Sequence, residues 1–343
     1  MIMCPSDIAT LLADLEVADV SSAAAAQRRV DDILRPAGAL ARLDDIAVWV
    51  ASWQSTESPA IVSPAALVCA GDHGIAASGV SAYPAEVTAA MLGAFRAGVS
   101  TINAMARVAG ATVDAIDVGV GRPTCDFTVE PAMSEQRFVE AFEAGREAVA
   151  AIVERGADLL VVGEMGIGNT TAAAAVCAAV LGGTGTDWVG RGTGVDDEGM
   201  RRKVAVVDAG LARVGDIVEP IQALLEFGGA EMVAMAGAVV EARQNRLPVL
   251  LDGYVVGAAV VSLAASHPSS LDHCRIAHRS AEPGHSRLID ALSVKCNTDF
   301  APLLDLDMRL GEASGAMAAV PLVAMACAAV VEVPTFAEFF GDA

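Results

Sequence analysis

The chain has 343 residues, 54% of them hydrophobic and 19% charged, which is enough material for one large core or two unequal ones. Its formal net charge is −21 at pH 7, and this charge opposes long-range approach of nucleic acid or of an anionic lipid surface. We therefore expect neither nucleic acid nor a membrane among its partners. A small phosphorylated ligand is compatible with the charge, because its binding depends on local N–H groups and one or two cations.

The N-terminal part of the chain is predicted to be helical. Residues 1–50 contain amphipathic stretches such as DIATLLADLE and no strand-like apolar run. The first residues also lack the basic, apolar and small-residue pattern of an export signal, so we expect a cytoplasmic protein. The seven cysteines include no Cys-x-x-Cys pair, which favours buried thiols over disulfides or a zinc site.

Six short runs rich in Val, Ile and Leu follow, with helix-length segments such as 135–155 and 199–213 between them. The runs are continuous rather than alternating, as in strands that are buried on both faces. They lie at 65–70, 112–118, 158–162, 248–251, 274–278 and 302–306. This order predicts an α/β fold with a mostly parallel sheet of about six strands and helices on both faces.

The uncharged segment 313–331 is long enough to cross a membrane. It contains Pro321, is flanked by Glu312 and Glu332, and has no adjacent cluster of Lys or Arg to set an orientation. We therefore predict a buried helix of a soluble fold.

Two domains are predicted from this arrangement. The strand-containing part, 60–310, forms a large α/β domain, and the helical ends, 1–59 with 311–343, form a small helical domain.

Most of the apolar runs end in an acid with glycine close by, as in GDHG, DVG, GEMG, DG and DLD. Ligands of open parallel sheets bind outside the carboxyl ends of the strands. We therefore expect these acids, together with Glu312, to converge on one crevice. For any single position the alternative is that Asp and Gly are common turn residues.

Two glycine-rich segments are candidates for binding an anion. GEMGIGNTT, 163–171, lies between an apolar run and an alanine-rich one, which predicts a strand, a tight turn and a helix start. Such a turn usually receives an anion, although this one carries the carboxylate of Glu164. The loop 190–194, GRGTG, precedes the cation Lys203 and could hold a phosphate, although a solvated helix residue is the alternative for Lys203.

The sequence contains candidates for three kinds of catalytic site. Asp72, His73 and Ser81 do not form a convincing hydrolase triad, because neighbouring residues at a strand end point in opposite directions and no Gly-x-Ser-x-Gly elbow occurs. The histidines and cysteine between 273 and 285 lack metal-site spacing. Two glutamates on glycine turns, Glu164 and Glu312, are favoured as general acid-base groups, because partial burial raises the pKa of a carboxyl toward neutrality.

The motifs together resemble the nicotinate-nucleotide:dimethylbenzimidazole phosphoribosyltransferases of cobalamin lower-ligand synthesis. They are AGDHGIAASGVSAYPAEVT, VGEMGIGNTTAAAA, GRGTG followed by GMRRK, LLDGYVVGAA, HRSAEPGH and LDMRLGEASGA, in one order over about residues 30 to 335. The resemblance implies a Rossmann-like sheet with a small helical domain, a homodimer, and no metal or redox cofactor. It also implies transfer of phosphoribose from nicotinate mononucleotide to dimethylbenzimidazole, which gives nicotinate and α-ribazole phosphate.

The resemblance also assigns roles to individual residues. The family's general base falls on Glu312 and a second family glutamate, near the ribose, on Glu164. Nucleotide and phosphate binding is implied for Gly166, Gly168, Asn169, Thr170, Gly192, Gly194 and Lys203.

The base pocket is expected to be lined by Tyr83, Pro84, Met91 and Leu310. Some relatives carry Ser and Gln at the positions of Tyr83 and Met91, so the sequence leaves the preferred base open. The alternative for these two residues is ordinary core packing. Two other functions also stay open, a catalytically silent nucleotide-binding paralogue and a nicotinate mononucleotide hydrolase.

Overall fold

The central sheet has five strands, and all neighbouring strands are parallel. The computed structural model describes residues 2, 4–217 and 219–341. The strands are Pro64–Gly71 (β1), Thr112–Gly119 (β2), Leu159–Met165 (β3), Val249–Leu251 (β4) and Cys274–Ile276 (β5). Their spatial order is β2-β1-β3-β4-β5, which is one of the common orders of doubly wound sheets. The predicted α/β fold with a parallel sheet is confirmed.

The sixth apolar run does not join this sheet. Residues Leu304–Asp305 (β7) pair in parallel with His278–Arg279 (β6) in a separate two-stranded sheet. The expected sheet of about six strands is therefore a five-stranded sheet with a small second one.

Burial differs among the strands according to their place in the sheet. Every residue of β1, β3 and β4 is buried, as their continuous apolar runs predict. The run at 112–118 forms β2, most of which is partly exposed. Since β2 lies at the edge of the sheet, its prediction as a strand buried on both faces is wrong.

Helices connect the strands and cover both faces of the sheet. They are Asp7–Leu12 (α1), Val20–Asp32 (α2), Arg42–Gln54 (α3), Val87–Arg96 (α4), Thr101–Ala109 (α5), Glu135–Glu154 (α6), Asn169–Leu181 (α7), Gly185–Trp188 (α8), Asp197–Val214 (α9), Gln222–Phe227 (α10), Ala230–Gln244 (α11), Tyr254–Ser266 (α12), Pro283–Cys296 (α13), Ser314–Val331 (α14) and Phe336–Phe340 (α15). Short 3-10 segments occur at Gly74–Ser78 and Pro268–Leu271. The helices predicted at 135–155 and 199–213 are α6 and α9.

The side chains of the sheet alternate between two hydrophobic cores. Along β1, Leu67 and Cys69 belong to one core, which they share with α6, α7, α11 and α12. Ala66 and Val68 belong to the other, which they share with α3, α5 and α14. The period of two residues is that of a strand covered on both faces.

The two ends of the chain meet beside the second core. Ile33 and Thr335 form an antiparallel bridge, and the guanidinium of Arg29 donates to the carbonyl of Val330 at 2.7 Å near the end of α14. The helices α3 and α14 also share their core with the sheet. Positions 1, 3, 342 and 343 of the predicted small domain lie outside the described residues, and the division into two domains stays a prediction.

Among the described residues, α14 is the helix that is long and apolar enough to cross a membrane, and 56% of it is buried inside the protein. It packs against α3, α5 and β3. These contacts are those of the buried helix predicted for 313–331.

The helices α6 and α11 cross at two glycines. A Cβ atom at Gly145 would overlap the carbonyl oxygen of Ala234, and one at Gly237 would overlap the carbonyl oxygen of Phe142. Each glycine therefore receives the backbone of the other helix, which explains how this pair packs so closely.

We expect Gly145→Ala to lower the midpoint of denaturant unfolding. The added methyl meets backbone that cannot rotate away, so the loss of stability should equal or exceed the roughly 1–3 kcal/mol typical of overpacking. Gly93→Ala in α4 is the matched control, because a Cβ there meets nothing within 4 Å. It should be neutral or stabilising, since alanine favours helix by up to about 1 kcal/mol. Equal midpoints for the two variants would contradict the assignment of Gly145 as a crossing point.

Candidate active site

The candidate site lies between β1 and β3, where the order of the strands reverses. After β1 the chain proceeds to β2 on one side, whereas β3, β4 and β5 lie on the other. The chain segments that follow β1 and β3 therefore run to opposite sides of the sheet, and ligands of such sheets bind at the carboxyl ends of the strands where these segments diverge. Glu164 lies at this point, opposite Cys69 in the register of β1 and β3.

The segment 163–171 has the predicted strand, turn and helix start. β3 ends at Met165 and α7 begins at Asn169. Gly168, with φ of 100°, precedes the helix in a backbone conformation that favours glycine. A Cβ atom at Gly166 would lie 2.7 Å from the carbonyl oxygen of Gly71, so glycine allows the loops after β1 and β3 to touch.

The carboxyl of Glu164 is buried at the floor of the crevice, with 8% of the residue exposed. One of its oxygens accepts a hydrogen bond from the side-chain amide of Asn169. Burial raises the pKa of Glu164 well above its ordinary value, and the negative charges of Glu231, Asp252 and Glu312 raise it further. Both effects disfavour ionisation of the carboxyl.

The segment that carries Glu312 lies directly against the end of β3. Gly311, Glu312 and Ala313 have φ values of 81°, 60° and 65°, so three successive residues are left-handed. A Cβ atom at Gly163 would overlap the backbone of Ala313, and one at Gly311 would lie 2.5 Å from the carboxylate oxygen Oε1 of Glu164. The two predicted acid-bearing segments are therefore neighbours at one edge of the sheet.

Glu312 is also buried, with 7% of the residue exposed. Burial raises its pKa to about 7, and the negative charge of Asp252 contributes in the same direction. Asp252 follows β4, and its Oδ1 accepts a hydrogen bond of 2.7 Å from the backbone N–H of Ala316 in the first turn of α14. Asp252 thus supplies the cap that Ala313 at the start of α14 cannot provide.

Lys203 is buried with 1% exposure, so the alternative of a solvated helix residue is wrong. Its Nζ donates to Thr170 Oγ1 at 3.0 Å and to the carbonyl of Gly190 at 2.7 Å. Burial lowers the pKa of Lys203 to about 8, while the negative charge of Glu282 acts in the opposite direction. A cation is thereby placed beside the N-terminus of α7, where backbone N–H groups also favour an anion.

A small pocket of about 40 Å³ lies beside Lys203. Its walls include six of the seven residues predicted to bind nucleotide and phosphate, namely Gly166, Gly168, Asn169, Thr170, Gly192 and Lys203. Gly194 is the exception, and its N–H donates to the carbonyl of Arg191 within the same loop. The pocket thus joins the two glycine-rich segments and α9.

The four residues predicted for a base pocket differ in exposure. Tyr83 and Leu310 are 52% and 49% exposed, and Pro84 is exposed as well, so the core-packing alternative is wrong for Tyr83. Met91 is partly buried and packs against the second core, as that alternative expects. Tyr83 lies in the turn after Ser81, which lines the pocket described above.

Not every strand-end acid contributes to the crevice. Asp117 accepts from the N–H groups of Gly119 and Val120, and Asp72 accepts from the N–H of Gly121. These two acids hold a turn, as the alternative of simple turn chemistry expects. The expected convergence is observed for Glu164, Asp252 and Glu312, because the charge of Asp252 raises the pKa of both glutamates and that of Glu312 raises the pKa of Glu164.

A buried pair beneath the crevice escaped the sequence analysis. His73 Nε2 lies 2.7 Å from Glu231 Oε1, and both side chains are almost fully buried. The signal that could have found Glu231 is its place as a lone acid at the start of an apolar helix, α11. His73 therefore pairs with Glu231, whereas the triad considered above would have joined it to Asp72.

The histidines near β5 and β6 are held by protein groups. His273 Nε2 lies 2.9 Å from the carbonyl oxygen of Val239, and burial lowers the pKa values of His273 and His285 to about 3. Within residues 2, 4–217 and 219–341, no group of three His, Cys, Asp or Glu side chains has the arrangement of a metal site.

The structure is a doubly wound α/β protein with buried acids at the point where the strand order reverses. A family model described as "Phosphoribosyltransferase" matches residues 15–339, and the chain belongs to this family.

Its relatives include proteins named nicotinate-nucleotide–dimethylbenzimidazole phosphoribosyltransferase. One from Novosphingobium aromaticivorans is 49% identical over 94% of this chain and 93% of its own. One from Mesorhizobium japonicum is 46% identical over 95% and 94%. The crystal structure of CobT from Thermus thermophilus superposes with a TM-score of 0.87 at 40% identity, covering 93% of this chain and 98% of that one. The resemblance found in the sequence is confirmed.

We expect Asp252→Asn to lower the pKa of Glu312 below about 7. The amide oxygen still accepts from Ala316, but the negative charge that disfavours ionisation of Glu312 is gone. A ¹³C NMR titration of the Glu312 carboxyl measures the shift. In Asp252→Ala the cap is lost as well, so that variant should also melt at a lower temperature. An unchanged Glu312 titration in Asp252→Asn would contradict the electrostatic coupling.

Proposed function

We propose that the protein transfers phosphoribose from nicotinate mononucleotide to dimethylbenzimidazole, giving α-ribazole phosphate and nicotinate for assembly of the cobalamin nucleotide loop. The observation that carries this proposal is the juxtaposition of Glu312 and Glu164 with the pocket of Lys203. Family membership supports the reaction class, and the names of the relatives support the two substrates.

Glu312 is proposed to be the general base. One benzimidazole nitrogen attacks the anomeric carbon, while the carboxylate of Glu312 takes the proton from the other nitrogen. The bond from the anomeric carbon to nicotinate breaks, and its electron pair returns to the pyridine nitrogen. A base with a pKa of about 7 is suited to this step, because it is both partly ionised and a good proton acceptor near neutral pH.

Glu164 is proposed to bind the ribose. Burial and three acidic neighbours favour its neutral form, and a protonated carboxyl can both donate to and accept from sugar hydroxyls. This environment supports hydroxyl binding over direct stabilisation of positive charge on the sugar. Asn169, which donates to Glu164, holds the carboxyl in place.

The phosphate is proposed to bind at the pocket between α7 and the loop 190–194. Lys203 supplies a full positive charge, Thr170 a hydroxyl, and the start of α7 its backbone N–H groups. Gly166, Gly168, Gly192 and Gly194 would let the backbone approach the nucleotide, because no Cβ intervenes.

Tyr83, Pro84, Met91 and Leu310 are proposed to line the site of the acceptor base. Leu310 immediately precedes the left-handed segment of Glu312, so a base on Leu310 would lie close to the proposed proton acceptor. The exposed ring of Tyr83 offers a flat apolar surface on which a benzimidazole can stack.

The protein is further proposed to be a cytoplasmic homodimer. All seven cysteines are free, and five of them are buried, which fits a reducing compartment. The homodimer rests on the resemblance to the family.

The deciding experiment is an incubation with nicotinate mononucleotide, with and without dimethylbenzimidazole, followed by quantification of nicotinate and of any nucleotide product. Base-dependent release of nicotinate with formation of α-ribazole phosphate supports transfer. Base-independent release would instead indicate the hydrolase, and binding without release would indicate the silent paralogue.

We expect the rate of transfer to rise with pH through about 7 and then level off, because the proposed base must be ionised and its pKa is about 7. Glu312→Gln should retain the base-binding surface but lose about 10²- to 10⁴-fold in turnover, the usual contribution of a general base. The remaining rate should no longer follow the ionisation near pH 7.

The matched control is Glu332→Gln at the exposed opposite end of α14, which should resemble the wild type. Near-normal turnover in Glu312→Gln, measured with both substrates saturating, would refute the assignment of the base.

A further inference from the structure

The loop 190–192 borders the pocket of Lys203, yet its own position is set from the opposite side. There Glu282, the residue that precedes α13, is buried with 8% exposure. Its Oε1 accepts a hydrogen bond of 2.8 Å from the backbone N–H of Gly192. A Cβ atom at Gly190 would overlap its Oε2. Both glycines of the loop therefore lie directly on one carboxylate.

The loop is held from its other side by the cation. Lys203 Nζ donates to the carbonyl of Gly190 at 2.7 Å, and a Cβ atom at Gly192 would lie 3.5 Å from the same Nζ. The backbone of residues 190–192 thus lies between the buried carboxylate of Glu282 and the buried ammonium group of Lys203. Charges at this spacing in a protein interior attract each other across the backbone.

Glu282 is itself fixed in place. Pro283 begins α13, and a Cβ atom at Gly284 would lie 2.6 Å from the carbonyl oxygen of Trp188. That carbonyl also accepts a hydrogen bond of 3.0 Å from the hydroxyl of Tyr254. The start of α13 and the residues before the loop therefore form one packed unit.

Glu282 does not line the pocket that Lys203 and Gly192 share. Its Oε2 is buried and has no hydrogen-bond partner among the described residues. The other charged group at the pocket, Arg191, is paired with Asp197. Glu282 thus contacts the wall of the proposed phosphate site through Gly192, although it does not line that site.

We propose that Glu282 is a positioning residue of the phosphate site, which holds the backbone of 190–192 against Lys203 and thereby sets nucleotide affinity without touching the nucleotide. This inference rests on the proposed function. The carboxylate fixes the loop through Gly192, and its charge favours the protonated form of Lys203. Nothing in this arrangement involves the acceptor base.

The test compares Glu282→Gln and Glu282→Ala with the wild type by calorimetric titration with nicotinate mononucleotide and, separately, with dimethylbenzimidazole. Glu282→Ala should weaken nucleotide binding by about 10- to 150-fold, the worth of a hydrogen bond to a charged group. Glu282→Gln keeps an acceptor for Gly192 and should recover part of that loss at pH 6.5. At pH 8 it should lose affinity again, because Lys203 without its anion deprotonates at lower pH.

The affinity for dimethylbenzimidazole should stay within about twofold of the wild type in every variant. This change is small, because about 1.4 kcal/mol of binding free energy is needed for a tenfold change in affinity. Glu198→Gln, an exposed glutamate on α9 paired with Arg202, is the matched control and should bind nucleotide as the wild type does. If Glu282→Ala does not fold, Glu282→Asp retains the charge but withdraws it by one methylene, and should show the same selective loss of nucleotide affinity.

Two results would overturn the inference. One is nucleotide affinity within twofold of the wild type in the Glu282 variants, and the other is an equal loss for nucleotide and base, which a merely structural role would produce. The proposed function fails separately, if the wild type itself neither binds nicotinate mononucleotide nor releases nicotinate in the presence of the base. In that case titration with inorganic phosphate applies the same comparison to the loop.

Discussion

The arrangement of the site depends on the absence of a side chain at Gly163. The backbone of Ala313 occupies the place where a Cβ atom would lie, and this close approach brings Glu312 beside the end of β3. The residues 311–313 are left-handed throughout, which for the two that are not glycine costs about 1–3 kcal/mol each. Such a conformation persists only where the surrounding structure stabilises it. Here the hydrogen bond from the N–H of Ala316 to Asp252 fixes the start of α14.

The same packing concentrates acids in a buried region. Glu164, Asp252 and Glu312 belong to different segments of the chain, yet each is buried, and burial together with neighbouring negative charge raises the pKa values of Glu164 and Glu312. The energetic cost of gathering these groups is offset in part by the hydrogen bonds from Asn169 and Ala316. Burial and neighbouring carboxylates are the kind of environment that shifts the pKa values of groups at functional sites.

Much of this fold can be predicted from local patterns in the sequence. Continuous apolar runs located every strand, and the alternation of runs with helix-length segments identified the parallel sheet, because both signals lie within a few residues. The run at 302–306 was expected in the main sheet, but it pairs with β6 in a separate sheet, and the partner of a strand is not part of a local pattern. The edge position of β2 is likewise a property of strand order, which no single run contains.

The site shows the same limit. The glycine turns indicated the two glutamates and the family resemblance indicated Lys203, but the anion partners of His73 and of the loop 190–192 come from α11 and from the start of α13. Contacts between residues 158 or 90 positions apart leave no periodic trace in the chain. Asp72 and Asp117 show the opposite case, since their pattern resembled that of a site and their hydrogen bonds belong to a turn.

The joining of the two chain ends has a consequence for biosynthesis. A nascent chain that has emerged only as far as residue 310 already contains all five strands of the central sheet, but it lacks Glu312 and the helix that closes the second core. Arg29 is synthesised early, whereas the carbonyl at the end of α14 that accepts its hydrogen bond is synthesised about 300 residues later. Translation that stops early would therefore yield a sheet without Glu312 and with an uncovered apolar face.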